Sequence, residues 1–90
     1  MQPDDDVCYC HHVSLRKLVN FALRTRPAHA EQMSDCLGAG TGCGWCIPFL
    51  KRIAEAASQG QAAEIDISSD EYGSARGEYR KSGRRNEFDA

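Results

Sequence analysis

Apolar residues recur at helical spacing in two clear stretches of this chain and in a shorter one between them. In the first stretch, Leu15, Leu18, Val19, Ala22 and Leu23 fall on one side of a helix, and Arg16, Lys17, Asn20 and Arg24 fall on the other. Ser14 stands where an N-cap is needed, and Val13 before it is placed to pack on Leu18 as a hydrophobic staple. Pro27 disfavours helical backbone at Arg26, so this helix is expected to end near Thr25 and a shorter one to run from about Ala28 to Cys36. The last stripe is Cys46, Phe49, Leu50, Ile53, Ala54 and Ala57, with Pro48 tolerable in the first turn and Gly60 suited to the C-terminal cap. Together these segments predict an all-α domain of three or more short helices in a helix-turn-helix-type arrangement.

Beyond Gly60 the pattern fails. Glu64, Asp66, Asp70 and Glu71 form an acidic block, and Arg76, Arg80, Lys81, Arg84 and Arg85 a basic one, with glycine and serine between. Only Ile65, Ile67, Tyr72, Tyr79 and Phe88 could anchor anything, so residues 60–90 read as a mostly disordered, flexible charged tail. Residues 1–6 read as an acidic leader and 7–59 as the folded domain. On this division a chain ending at Gly60 should keep whatever centre the domain holds, and the tail should matter only for partners.

The apolar residues of this 90-residue chain crowd into positions 7–57, which leaves a core that needs a covalent or metal staple. No apolar run is long enough to span a bilayer, and a net charge of −2 gives no general attraction to nucleic acid or anionic lipid. A soluble protein with neither partner is expected. No Ser-His-Asp set, phosphate-binding glycine motif or carboxylate pair suited to acid-base work is visible, which argues against an enzyme.

The cysteines carry the chemistry. Cys8-Tyr9-Cys10 and Cys43-Gly44-Trp45-Cys46 form two tight pairs separated by 32 residues, and when the chain doubles back their four thiolates can converge on one tetrahedral ion or a small iron-sulfur cluster. Disulfides fit less well, because Cys36 makes the count odd and Met1 to Asp6 has neither the basic start nor the apolar stretch of an export signal; a cytoplasmic location is expected. A thioredoxin-like redox pair would need a strand before Cys43, where Gly38-Ala39-Gly40-Thr41-Gly42 stands instead. Three glycines in those five residues let backbone approach a ligand closely. Plant-type ferredoxin and Rieske spacings do not match, and zinc ribbons usually hold their pairs closer together.

Cys8-Tyr9-Cys10-His11-His12-Val13-Ser14, followed by Cys36-Leu37-Gly38-Ala39-Gly40-Thr41-Gly42-Cys43-Gly44-Trp45-Cys46, resembles the 2Fe-2S domain of the bacterioferritin-associated ferredoxin (BFD-like) family over residues 7 to about 57. The same small helical domain occurs in assimilatory nitrite reductases and in the nitrogen-fixation cluster scaffold. Its pattern, C-x-C-x-x-V/I-S/T and, after slightly more than thirty residues, A-G-x-x-C-G-x-C, is met at every position. The resemblance implies a 2Fe-2S cluster ligated by Cys8, Cys10, Cys43 and Cys46, with Cys36 at a non-ligand position, and the helices arranged around that cluster. The reading is a one-electron carrier in the cytoplasm of a bacterium, serving a redox protein: if the resemblance extends to role, a ferritin-type iron store whose iron it mobilises, and otherwise a reductase or an oxygenase. A structural zinc module for protein interaction and a cluster scaffold or sensor are the alternative readings.

With Cys43 and Cys46 at a helix start, unpaired backbone N-H groups and the positive end of the dipole should favour the anionic centre, roughly minus two when oxidised. His11 and His12 are expected to be solvent-exposed or capping. Trp45 and Tyr9, each between two ligands, could shield the centre from water or form part of a docking surface. Cys36 is expected to pack as a small apolar residue.

Overall fold

The computed structural model describes residues 1–42 and 44–81. Cys43, and Arg84, Arg85 and Phe88 of the charged tail, lie outside the described residues.

The chain opens with two short strands, β1 (Asp6–Cys8) and β2 (Val13–Ser14), paired antiparallel with Asp6 opposite Ser14 and Cys8 opposite Val13. The pairing is irregular between Asp6 and Cys8. The turn between the strands has His12 in left-handed backbone at φ 53°, a conformation that a polar side chain tolerates in a tight reversal. Helix α1 (Leu15–Thr25) follows directly. The Ser14 hydroxyl accepts the N-H of Lys17 at 3.3 Å, so the expected cap is present and joins β2 to α1 without a linker. At the far end the N-H of Arg26 still returns to the Ala22 carbonyl at 2.7 Å, and its left-handed backbone, φ 47°, ends the helix at Thr25, two residues before Pro27.

The expected second helix is a 3-10 segment over Ala30–Asp35, capped at Cys36, and shorter than the span from Ala28 to Cys36. Helix α2 (Ile47–Ser58) has Cys46 as N-cap, Pro48 in its first turn, and a buried stripe of Phe49, Leu50, Ile53, Ala54 and Ala57. Gly60, just past its end, takes φ 75°. α1 packs on α2, and the 3-10 segment lies against both. Val7, Val13, Leu18, Met33, Phe49 and Ile53 fill the space between them.

Two expectations are corrected. The fold is mostly helical but not purely so, since β1 and β2 form a small sheet. Nor is the stretch after Gly60 devoid of structure as far as it is described. Ile65 is buried, the Met1 nitrogen donates to the carbonyls of Ile65 and Ile67 at 3.0 and 2.7 Å, and helix α3 spans Ser69–Lys81. Tyr72 and Tyr79, seven residues apart, bring two aromatic rings to one face of α3, and both are buried against Trp45. The apolar stripe that would announce such a helix is missing because its buried face is aromatic and the remaining residues are glycine, alanine, serine and charge. Among the described residues no helix is long and apolar enough to cross a membrane.

Candidate metal centre

Cys8 is the last residue of β1, Cys10 lies in the turn that follows, and Cys46 caps α2. The hairpin and the loop before α2 bring these three together: all line one small cavity, walled by Gly40, Gly42, Gly44, Tyr9 and Trp45 and closed by Arg76. Cys8 and Cys46 are 2% and 4% exposed, whereas Cys10 is on the surface. Cys43, the fourth expected ligand, lies outside the described residues. It stands between Gly42 and Gly44, which both face this cavity.

The glycines are a steric requirement of the site. A Cβ on Gly42 would fall 2.5 Å from both Cβ and Sγ of Cys10, and one on Gly40, where φ is 83°, would fall 2.8 Å from Leu50 Cδ1 and 4.0 Å from the Cys46 sulfur. Side chains there would run into Cys10 and into Leu50 of α2.

Around this cavity Trp45 is packed by Phe49, Tyr72 and Tyr79 at ring-centroid distances of 5.8, 5.5 and 5.3 Å, and Tyr72 meets Tyr9 at 5.6 Å. Trp45 is 1% exposed and lines the cavity, so its ring is turned inward and not onto the surface. Sulfur donors, glycine walls and an aromatic inner side fit an iron-sulfur cluster, which needs thiolate ligands and restricted solvent.

One electrostatic expectation changes. The first turn of α2 presents no spare N-H, because that of Ile47 goes to the Gly44 carbonyl at 3.3 Å, Pro48 has none, and that of Phe49 goes to the Cys46 carbonyl at 3.0 Å. What α2 offers an anion is the positive end of its dipole.

The histidines do not line the cavity. His11 Nε2 and Thr41 Oγ1 are 2.9 Å apart, a hydrogen bond that fastens the Cys10 turn to the glycine loop. His12 is exposed and pairs with Asp6 at 3.4 Å. Cys36 is buried apart from the cavity, its sulfur 3.9 Å from the Lys17 carbonyl, and burial pushes its thiol pKa up while Arg24 and Lys17 pull it partly back.

Sequence reasoning missed Arg76. Its Nη2 donates to the Cys10 sulfur at 3.7 Å and its guanidinium lies 5.1 Å from the centroid of the Tyr9 ring. The available signal was its spacing of four from Tyr72 and three from Tyr79, which puts all three on one helical face.

Cysteines gathered at the joint of a small hairpin and a helix define a compact cluster-binding domain. The chain belongs to the BFD-like 2Fe-2S binding domain family, whose model matches residues 7–56, and its cofactor is a 2Fe-2S cluster. Over 52 residues, 57% of this chain, it is 36% identical to a nitrite reductase (NAD(P)H) from Neurospora crassa. That match spans 4% of the reductase. No solved structure matches the chain.

Proposed function

We propose that this chain is a one-electron carrier whose 2Fe-2S cluster is held by Cys8, Cys10, Cys43 and Cys46, and that it passes electrons to a protein partner without making or breaking bonds itself. The observation that carries this reading is the meeting of Cys8, Cys10 and Cys46 at one glycine-walled cavity with only Cys10 at the surface. When bound, the cluster supplies a centre that accepts and releases a single electron.

The residues of the chain do the rest. Trp45, Phe49, Tyr72 and Tyr79 keep water from the inner side, and the end of the α2 dipole favours negative charge at Cys46. Cys10, the exposed residue of the three described, lies on the side a partner would meet. Thiolate ligands also suit a reducing compartment, the cytoplasm.

Likeness to a segment of nitrite reductase supports a reductase as electron acceptor. A ferritin-type iron store, which the resemblance to the ferredoxin suggests, is the second candidate. The test is anaerobic purification followed by a visible spectrum, iron and sulfide analysis and electron paramagnetic resonance after reduction. Two irons and two sulfides per chain with a reversible one-electron signal are expected, and a colourless zinc protein would refute the reading. Reoxidation of the reduced chain by a nitrite reductase and by an iron-loaded ferritin then separates the partners.

A further inference from the structure

We infer that Arg76 is a positioning residue for Cys10 that raises the reduction potential of the centre, and that α3 serves to deliver it. This rests on the ligand assignment proposed above. Helix α3 lies wholly outside the family-matched segment, which stops at residue 56.

The geometry is specific. Arg76 covers the outer side of the loop that carries two candidate ligands, donating to the sulfur of Cys10 at 3.7 Å and lying over the ring of Tyr9 between them. Its helix is held on both sides of that contact. Tyr72, one turn before, is fully buried and donates to the Val7 carbonyl, while Tyr79, one turn after, packs on Trp45. Gly73 permits the approach, since a Cβ there would stand 3.1 Å from the Tyr9 hydroxyl.

A four-thiolate centre becomes more negative on reduction, so a fixed cation that donates to a ligand sulfur stabilises the reduced state more than the oxidised one. Arginine stays protonated throughout the accessible pH range, so its effect does not titrate. Of the three described cysteines Cys10 is the exposed residue, and α3 places a donor beside its sulfur.

The test uses the full chain, loaded anaerobically, with Arg76→Gln, Arg76→Lys and Arg80→Gln. Arg80 lies on the same helix, is exposed, and is absent from the cavity, so its variant controls for loss of charge alone. Circular dichroism and iron content establish that each variant is folded and loaded, and spectroelectrochemistry gives the midpoint potential. In Arg76→Gln the equilibrium constant for reduction should fall about tenfold, a shift of about 59 mV to more negative potential for one electron. Arg76→Lys should shift less in the same direction, because a point charge remains but the planar donor is lost. Arg80→Gln should not shift.

Wild-type potential in both Arg76 variants, or an equal shift in Arg80→Gln, overturns the inference. If Arg76→Gln does not load, Arg76→Lys decides alone by the same criterion. Absence of iron and sulfide from the wild-type chain refutes the ligand assignment, whereas a loaded wild type whose potential is indifferent to Arg76 refutes this inference only.

Discussion

The phenol of Tyr72 donates a hydrogen bond to the main-chain carbonyl of Val7, the residue immediately before Cys8. Both residues are fully buried, so the bond ties α3 to the strand that ends in a candidate ligand. Tyr72→Phe leaves that carbonyl buried without its donor and should cost about 1–3 kcal/mol. Tyr72→Ala also removes the ring from Phe49 and Trp45 and should cost about 3–5 kcal/mol. Denaturant melts of the loaded protein read both values, and equal stability of wild type and Tyr72→Phe would show that the bond contributes nothing.

Truncation after Gly60 tests the same relationship on a larger scale. The sequence led to the expectation that such a chain would keep its centre unaltered, but the structure gives the opposite expectation. Removing Tyr72 and Tyr79 uncovers Trp45, and removing Arg76 takes the donor from Cys10. The short chain should show red-shifted tryptophan fluorescence, faster bleaching in air and a more negative midpoint potential. A spectrum, lifetime and potential identical to those of the full chain would restore the earlier boundary.

What was legible in the sequence was local. Ser14, Pro27, Pro48 and Gly60 act within a few residues of themselves, and the ends of α1 and α2 follow from them. Each cysteine pair is visible because its members are close in sequence, and of the four expected ligands Cys8, Cys10 and Cys46 line one cavity. β1 and β2 are too short for alternation to show. α3 was hidden for a different reason: its buried face consists of Tyr72 and Tyr79, and nothing near them in sequence reveals that their partner is Trp45. The contact between Arg76 and Cys10 spans 66 positions and could emerge only once both helical phase and docking were known.

The cysteines should divide by environment. Replacing Cys8, Cys10, Cys43 or Cys46 by Ser is expected to abolish or severely destabilise the cluster, while Cys36→Ser leaves the visible spectrum nearly unchanged; bleaching by Cys36→Ser would overturn the assignment. Burial raises the Cys36 pKa, so the folded state holds the neutral thiol more firmly than the unfolded chain does. Its contribution to stability is therefore fully present below the unfolded thiol pKa and is lost as pH rises through the folded one. Stability of the wild type should fall more steeply than that of Cys36→Ala in alkaline solution, and alkylation of Cys36 should be slow at neutral pH. Parallel stability curves for the two proteins would remove Cys36 from the account.

Two glycine substitutions should act in opposite directions. At Gly42 a methyl group would stand 2.5 Å from the Cys10 sulfur, so either the glycine loop or the Cys10 turn must move, and the two ligand segments can no longer meet as they do. Gly42→Ala should therefore lower iron and sulfide content per chain severalfold, even where helical circular dichroism is retained. At Gly77, inside α3, a methyl group would meet nothing within 4 Å, so Gly77→Ala removes only the entropic cost of glycine in a helix and should stabilise by about 0.5–1 kcal/mol. Because α3 holds Arg76 over Cys10, the same substitution should also slow loss of the cluster in air. Denaturant melts and bleaching rates measured together decide the matter: a Gly77→Ala protein that is more stable but bleaches at the wild-type rate would show that α3 does not guard the centre.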